Sequence, residues 1–180
     1  MTIILTASGN YFDLGAPHDS EILITDIAHA LSNICRFAGH CHQFYSVAQH
    51  SVMVSLMVPP EYALQALLHD ASEAYVGDVT SPLKAMLPEY RVIERNVADA
   101  IYKRFNIMDP LHSPCIKHAD LVALATERLH LLLETDRQWP CLEGVKPLNI
   151  QVLDCWNPEK AYLRFSQRCS EIMGKGVAQI

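Results

Sequence analysis

Five polar residues stand where apolar helices should carry leucine or alanine. In ALLHDASEAY the pair His69-Asp70 and the acid Glu73 interrupt a run of Leu67, Leu68, Ala71 and Ala74. His50 sits in the middle of VAQHSVMVSLM, and Asp120 lies beside Leu121, Val122 and Leu124 in IKHADLVALATE. At about 100° per residue, one helix would bring His69, Asp70 and Glu73 onto a shared face. An ionised carboxylate among such neighbours costs several kcal/mol unless a strong partner compensates, and a divalent cation is such a partner.

Each residue taken alone has a plainer explanation. A lone histidine on an apolar helix is more often a hydrogen-bonded core residue, and Gln49 or Ser51 could satisfy His50. Asp120 could share an exposed polar face with Lys117 and Glu127. Together the residues amount to more: two imidazoles and two carboxylates converging between helices. That N/O set suits a divalent transition metal with positions left for water, and it lacks the thiolates of structural zinc.

The elements that must position these groups are mostly helical. Residues 1–18 suggest a short β-hairpin around a Ser-Gly-Asn turn. ITDIAHALSNICRF follows with apolar residues at helical spacing, Thr25 or Asp26 as caps and Gly39 as a stop. FYSVAQHSVMVSLMV is an apolar helix closed by Pro59-Pro60, and EYALQALLHDASEAYVG predicts a continuous helix ending at Gly77. DVTSPLKAML reads as a connector. PEYRVIERNVADAIYKRF and SPCIKHADLVALATERLHLLLE are helices opened by Pro88 and by Ser113-Pro114. Residues 136–157 form an irregular excursion before a last helix from Asn157-Pro158 to Gly174. The expected fold is all-α, a compact helical bundle with a small N-terminal β-hairpin. It forms one domain over 1–180, with a β appendage (1–18), metal-site helices (19–135) and a C-terminal part (136–180).

Composition narrows the chemistry. The 180 residues are half apolar, enough for a core without staples. Fourteen Lys and Arg against twenty Asp and Glu give a formal charge of −6 with no basic run, which argues against a nucleic-acid polymer as partner. No apolar stretch reaches the ~20 residues of a membrane span, and the start MTIILTASGNYFD has no cationic n-region. The expectation is a cytoplasmic protein with reduced cysteines, the six of which include no C-x-x-C pair and serve as core filler. Nine histidines are the surplus. Of these, His40 and His42 could line a pocket, His118 is adjacent to Asp120, and His18, His29, His112 and His130 carry no motif.

The order H…HD…D on separate helices is that of the HD-domain metal-dependent phosphohydrolases, and this chain resembles that superfamily. HDASEAYVGDVTSPLK, residues 69–84, resembles the H-D-A-S-E-x-x-x-G-D-x-x-x-P-x-K signature of its 5′-deoxynucleotidase (YfbR-like) branch. QHS at 49–51 and KHAD at 117–120 match that branch's H-S and K-x-A-D elements. SNICRFAGH…FYSVAQHS and LATER further resemble prophage-encoded, YfdR-like members. Together the matches span most of residues 25–130.

The resemblance implies an HD-domain bundle in which His50, His69, Asp70 and Asp120 hold one divalent ion (Mn, Co, Mg, Fe, Ni or Zn). It implies Glu73 as general acid/base and Arg36 as the phosphate's cationic partner. Phe37 follows where the family carries Trp, which bears on the sugar preference, and Asp78, Ser81 and Lys84 belong to the loop over the nucleotide. The implied reaction is removal of phosphate from a nucleoside 5′-monophosphate, a deoxyribonucleotide above all, by a metal-activated water, in a protein that can form a homodimer. Two alternatives stay open. One is hydrolysis of another phosphate ester or signalling nucleotide, weakened by Glu73-Ala74 where guanosine-tetraphosphate hydrolases carry Glu-Asp. The other is a catalytically silent nucleotide-binding or interaction protein.

Overall fold

A computed structural model describes residues 2–107 and 113–174 of the chain, so that His112 lies outside the described residues. The chain is mostly helical, with a two-stranded antiparallel hairpin at its N-terminus. Strands β1 (Ile3–Leu5) and β2 (Tyr11–Asp13) pair with Ile4 opposite Phe12. Gly9, at φ 86°, makes the turn that lets Thr6 N donate to Asn10 O at 2.8 Å. Phe12 is fully buried and stacks on Tyr75 with ring centroids 3.9 Å apart, which fastens the hairpin to the helices.

Helix α1 (Ile24–Asn33) starts without a side-chain cap, its N-cap being Leu23. The carboxylate expected to cap it is used elsewhere: Asp26 accepts from Ser8 N at 2.8 Å and Ser8 Oγ at 2.7 Å, tying the hairpin turn to the helix. The helix also ends earlier than Gly39. Ile34 turns extended, Cys35 bridges to Ser46, and a 3-10 turn at Phe37–Gly39 follows. Helix α2 (Val47–Leu56) is capped by Ser46, which accepts from Gln49 N. It is buried nearly all round, as a helix surrounded by others must be.

The continuous helix expected from Glu61 to Gly77 is broken. Helix α3 (Ala63–Leu67) stops, tight turns carry His69 to Ser72, and α4 (Glu73–Val76) resumes. Bonds of the i→i+3 kind span the break, from Ala71 N to Leu68 O (3.1 Å) and from Glu73 N to Asp70 O (3.0 Å). His69 Nδ1 takes the Ala66 carbonyl at 2.8 Å, replacing a backbone donor of a regular helix. The segment expected as a connector contains α5 (Ser81–Met86), started by Pro82 in its first turn. Helices α6 (Pro88–Arg104), α7 (Pro114–Leu131) and α8 (Pro158–Ile172) follow the sequence pattern. Between α7 and α8 the chain is irregular apart from a 3-10 turn at Pro140–Leu142.

The main core joins Ile27 and Leu31 of α1, Val47 and Val52 of α2, Leu67 of α3, Val97 and Ile101 of α6 and Phe165 of α8. A second cluster, Val54, Ala66, Ile116, Ala119 and Ala123, packs α7 against α2 and α3. That seam of small residues sets α7 close enough for Asp120 to face His50. The irregular segment is held from α2, because Gln49 Nε2 donates to Asp154 O (2.6 Å) and Gln49 Oε1 accepts from Trp156 N (2.8 Å). Among the described residues no helix is long and apolar enough to cross a membrane. Of the cysteines expected as core filler, Cys169 is buried, Cys141 is exposed and the rest are half-buried.

Candidate metal centre

Helix α2, the break after α3 and helix α7 bring their polar residues to one point. His50 Nε2 lies 3.3 Å from His69 Nε2 and 3.3 Å from Asp120 Oδ1. The ligand-type atoms of His50, His69 and Asp120 all fall within 4.8 Å of one another. Asp70 adjoins this triad, with Oδ2 3.2 Å from His69 Nε2 and 3.6 Å from His50 Nε2. His50 is fully buried and the other three are partly open to solvent.

The donor set fits a divalent cation. His69 Nδ1 faces the Ala66 carbonyl, which can only accept, so Nδ1 donates there and Nε2 is the ring nitrogen turned inward. His50 Nδ1 meets Glu127 Oε1 at 2.6 Å, the carboxylate-histidine arrangement that orients metal ligands. Two ring nitrogens and two carboxylates thus converge with a deficit of positive charge. Ligands about 2.1 Å from an ion sit roughly 3.0–3.4 Å from their neighbours, close to the spacings seen here. The group His50, His69 and Asp120 could therefore hold a metal ion.

Protons compete with a cation for these groups. Burial and the Arg36 guanidinium oppose a charge on His50, but the Glu127 and Asp120 carboxylates overcome them and push the imidazole up to about 9. Burial likewise disfavours ionised Asp70 and Asp120. Even so, His69 and His50 hold Asp70 well below the usual carboxylate range, and His50, then His69, does the same for Asp120. Lys117 Nζ caps Asp120 Oδ2 from solvent at 2.9 Å.

Glu127 is the residue sequence reasoning missed. The plainer alternative for Asp120 puts Glu127 on an exposed polar face with Lys117, yet Glu127 is fully buried. Its Oε2 accepts from Arg36 Nε at 3.1 Å and lies 3.1 Å from a terminal nitrogen of the same guanidinium, while Oε1 takes His50. Arg36 and His50 hold it below the usual range despite burial. The signal was available: Glu127 follows Asp120 by seven residues, two helical turns along one face.

Arg36 is buried, and besides Glu127 it reaches Asp70 Oδ2 at 3.7 Å. Phe37, at φ 56°, lies under that guanidinium, 5.4 Å from its central carbon, and faces Trp139 with ring centroids 6.5 Å apart. Trp139 was not singled out from sequence, because the irregular segment carrying it offers no periodicity. Glu73 is buried and does not join the four-residue cluster. Its Oε1 accepts from Lys84 Nζ at 3.4 Å, and its Oε2 has no partner. Burial first, then the Asp70 and Asp78 charges, push its carboxyl well above the usual range. Lys84 is shared between Glu73 and Glu94 of α6. Asp78 is half-buried with its carboxyl raised by burial, and Ser81 is exposed at the start of α5, outside the cluster. His40, His42 and His118 are exposed.

No family model matches the chain. It is 44% identical to the uncharacterized protein YfdR of Escherichia coli (strain K12) over 172 residues, 96% of each chain. An uncharacterized protein of Rhodobacter capsulatus is 35% identical over 133 residues, covering 67% of this chain and 68% of that one.

Proposed function

We propose, for a chain that belongs to the same family as Escherichia coli YfdR, a metal-dependent phosphohydrolase function of the HD-domain type. The substrate is a nucleoside 5′-monophosphate, deoxyribonucleotides above all, and the products are nucleoside and inorganic phosphate. The observation carrying this reading is the convergence of His50 Nε2, His69 Nε2, Asp70 Oδ2 and Asp120 Oδ1, with both histidines oriented through Nδ1.

His50, His69, Asp70 and Asp120 would hold one divalent ion, with Mn, Co, Mg, Fe, Ni and Zn all compatible with two imidazoles and two carboxylates. Such an ion, when bound, polarises a phosphoryl oxygen and lowers the pKa of a coordinated water. The protein's own groups do the rest. Arg36, fixed by Glu127 and adjoining Asp70, is the cation beside which a phosphate dianion is stabilised. Glu73 would serve as the general acid/base that passes a proton to the leaving ester oxygen, and Lys84 fixes the orientation of its carboxyl. Phe37 and Trp139 border Arg36 as an apolar surface for the sugar and base. Asp78 would accept from a sugar hydroxyl, and Ser81, at the exposed start of α5, would face the nucleotide beside it.

Phosphate release from a panel of ribo- and deoxyribonucleotides, after chelation and readdition of Mn²⁺, Co²⁺ or Mg²⁺, tests the reading. Release from monophosphates only with added ion is expected. Release from other esters alone would move the substrate class, and no release with retained nucleotide binding would leave the silent-binder alternative. Asp70→Ala should abolish metal uptake. Glu73→Ala should keep metal and lose about 10²–10⁴-fold in turnover.

A further inference from the structure

Two thiols bracket the loop that carries Arg36. Cys35 Sγ and Cys41 Sγ lie 3.7 Å apart, and both residues are half-buried. The backbone between them already doubles back. Gly39 N donates to Arg36 O at 3.1 Å, His40 N donates to Phe37 O at 3.0 Å, and Cys41 Sγ lies 3.3 Å from the Arg36 carbonyl. Phe37 and Ala38 keep φ of 56° and 51°, a left-handed conformation that non-glycine residues hold only where the surroundings impose it. Joining the sulfurs therefore closes a gap of 3.7 Å to a bond of about 2.05 Å across a turn whose ends already lie together. The proposed chemistry at the metal centre uses neither thiol.

We infer that Cys35 and Cys41 are a reversible dithiol–disulfide site, oxidised by low-molecular-weight disulfides. One of the two thiols, as its thiolate, attacks one sulfur of the small disulfide, forming a mixed disulfide and releasing one small thiol. The other then loses its proton to solvent and displaces the second small thiol, so that two protein thiols become one S–S bond and the small disulfide is reduced to two thiols. The ring closed over residues 35–41 would enclose Arg36, whose side chain pairs with Glu127 and Asp70. The thiol state is thereby set beside the metal centre, whatever reaction that centre performs.

The test reads connectivity rather than activity. The full-length protein is equilibrated with oxidised glutathione, alkylated and digested with trypsin without reduction. Arg36 is the first basic cleavage site of the chain and Lys84 the next, so Cys35 and Cys41 fall on separate peptides, each with one cysteine. The expected result is a linked pair of peptides 1–36 and 37–84 that separates on reduction. It should vanish in Cys41→Ser and persist in Cys155→Ser. Cys155 is the rival partner, because it lines the same cavity as His42, the residue next to Cys41. Recovery of both peptides alkylated or singly glutathionylated overturns the inference, as does a link between Cys41 and Cys155.

Discussion

The fully buried Glu127 carboxylate governs how His50 can work. It accepts from His50 Nδ1 through one oxygen and from the Arg36 guanidinium through the other, so one side chain sets the orientation of an imidazole and the position of a cation. Glu127→Gln keeps the shape and removes the charge. Calorimetric titration with Mn²⁺ should then show affinity weaker by about 10–100-fold, the usual cost of losing such a partner; unchanged affinity would show that Glu127 merely fills space. At this scale much was legible. His50, His69, Asp70 and Asp120 betray themselves by sitting in apolar runs, where an uncompensated polar group is expensive. Glu127 sits among Ala123, Leu124 and Ala125 too, but its heptad spacing from Asp120 reads equally well as a solvated stripe. Only the packing of α7 against α2 decides which face is inward.

At the scale of elements, the break between α3 and α4 is the main departure from the sequence pattern. ALLHDASEAY contains neither Gly nor Pro, so nothing local signals an interruption. The turns arise because His69 Nδ1 binds the Ala66 carbonyl and the chain tightens into i→i+3 bonds. As a result Glu73 opens a new helix and pairs with Lys84 instead of lying one regular turn beyond His69. The hairpin shows the same competition, with Asp26 spent on Ser8 rather than on the start of its own helix. Asp26→Ala should remove both charge-assisted bonds to the exposed Ser8 and cost about 1.5–3 kcal/mol. Chemical denaturation would register this as a lower midpoint, and an unaltered midpoint would mean that the Phe12–Tyr75 stack alone holds the hairpin.

For the whole molecule, the candidate metal centre couples to stability through protons. His50 is raised to about 9 in the metal-free fold, against an ordinary value of about 6.5. The folded state therefore binds the extra proton more tightly than the unfolded chain. This contribution is complete below about pH 6.5 and is lost as pH rises through about 9. Chelated protein should accordingly show a Tm that falls over that window. A divalent ion, competing for the same lone pairs, should remove most of the fall and raise Tm most at the alkaline end. A metal-independent Tm profile would count against the centre. The sequence by itself determined the helical class, the hairpin and the four clustered residues, because periodicity and misplaced polarity are local properties of a chain. The tertiary structure alone decided that Glu127 and Arg36 support His50, that Trp139 stands beside Phe37, and that Glu73 leaves the cluster for Lys84. Those pairings join residues distant in sequence or turn on a helix break with no local signal, and the packing of α7, α2 and the irregular segment selects them.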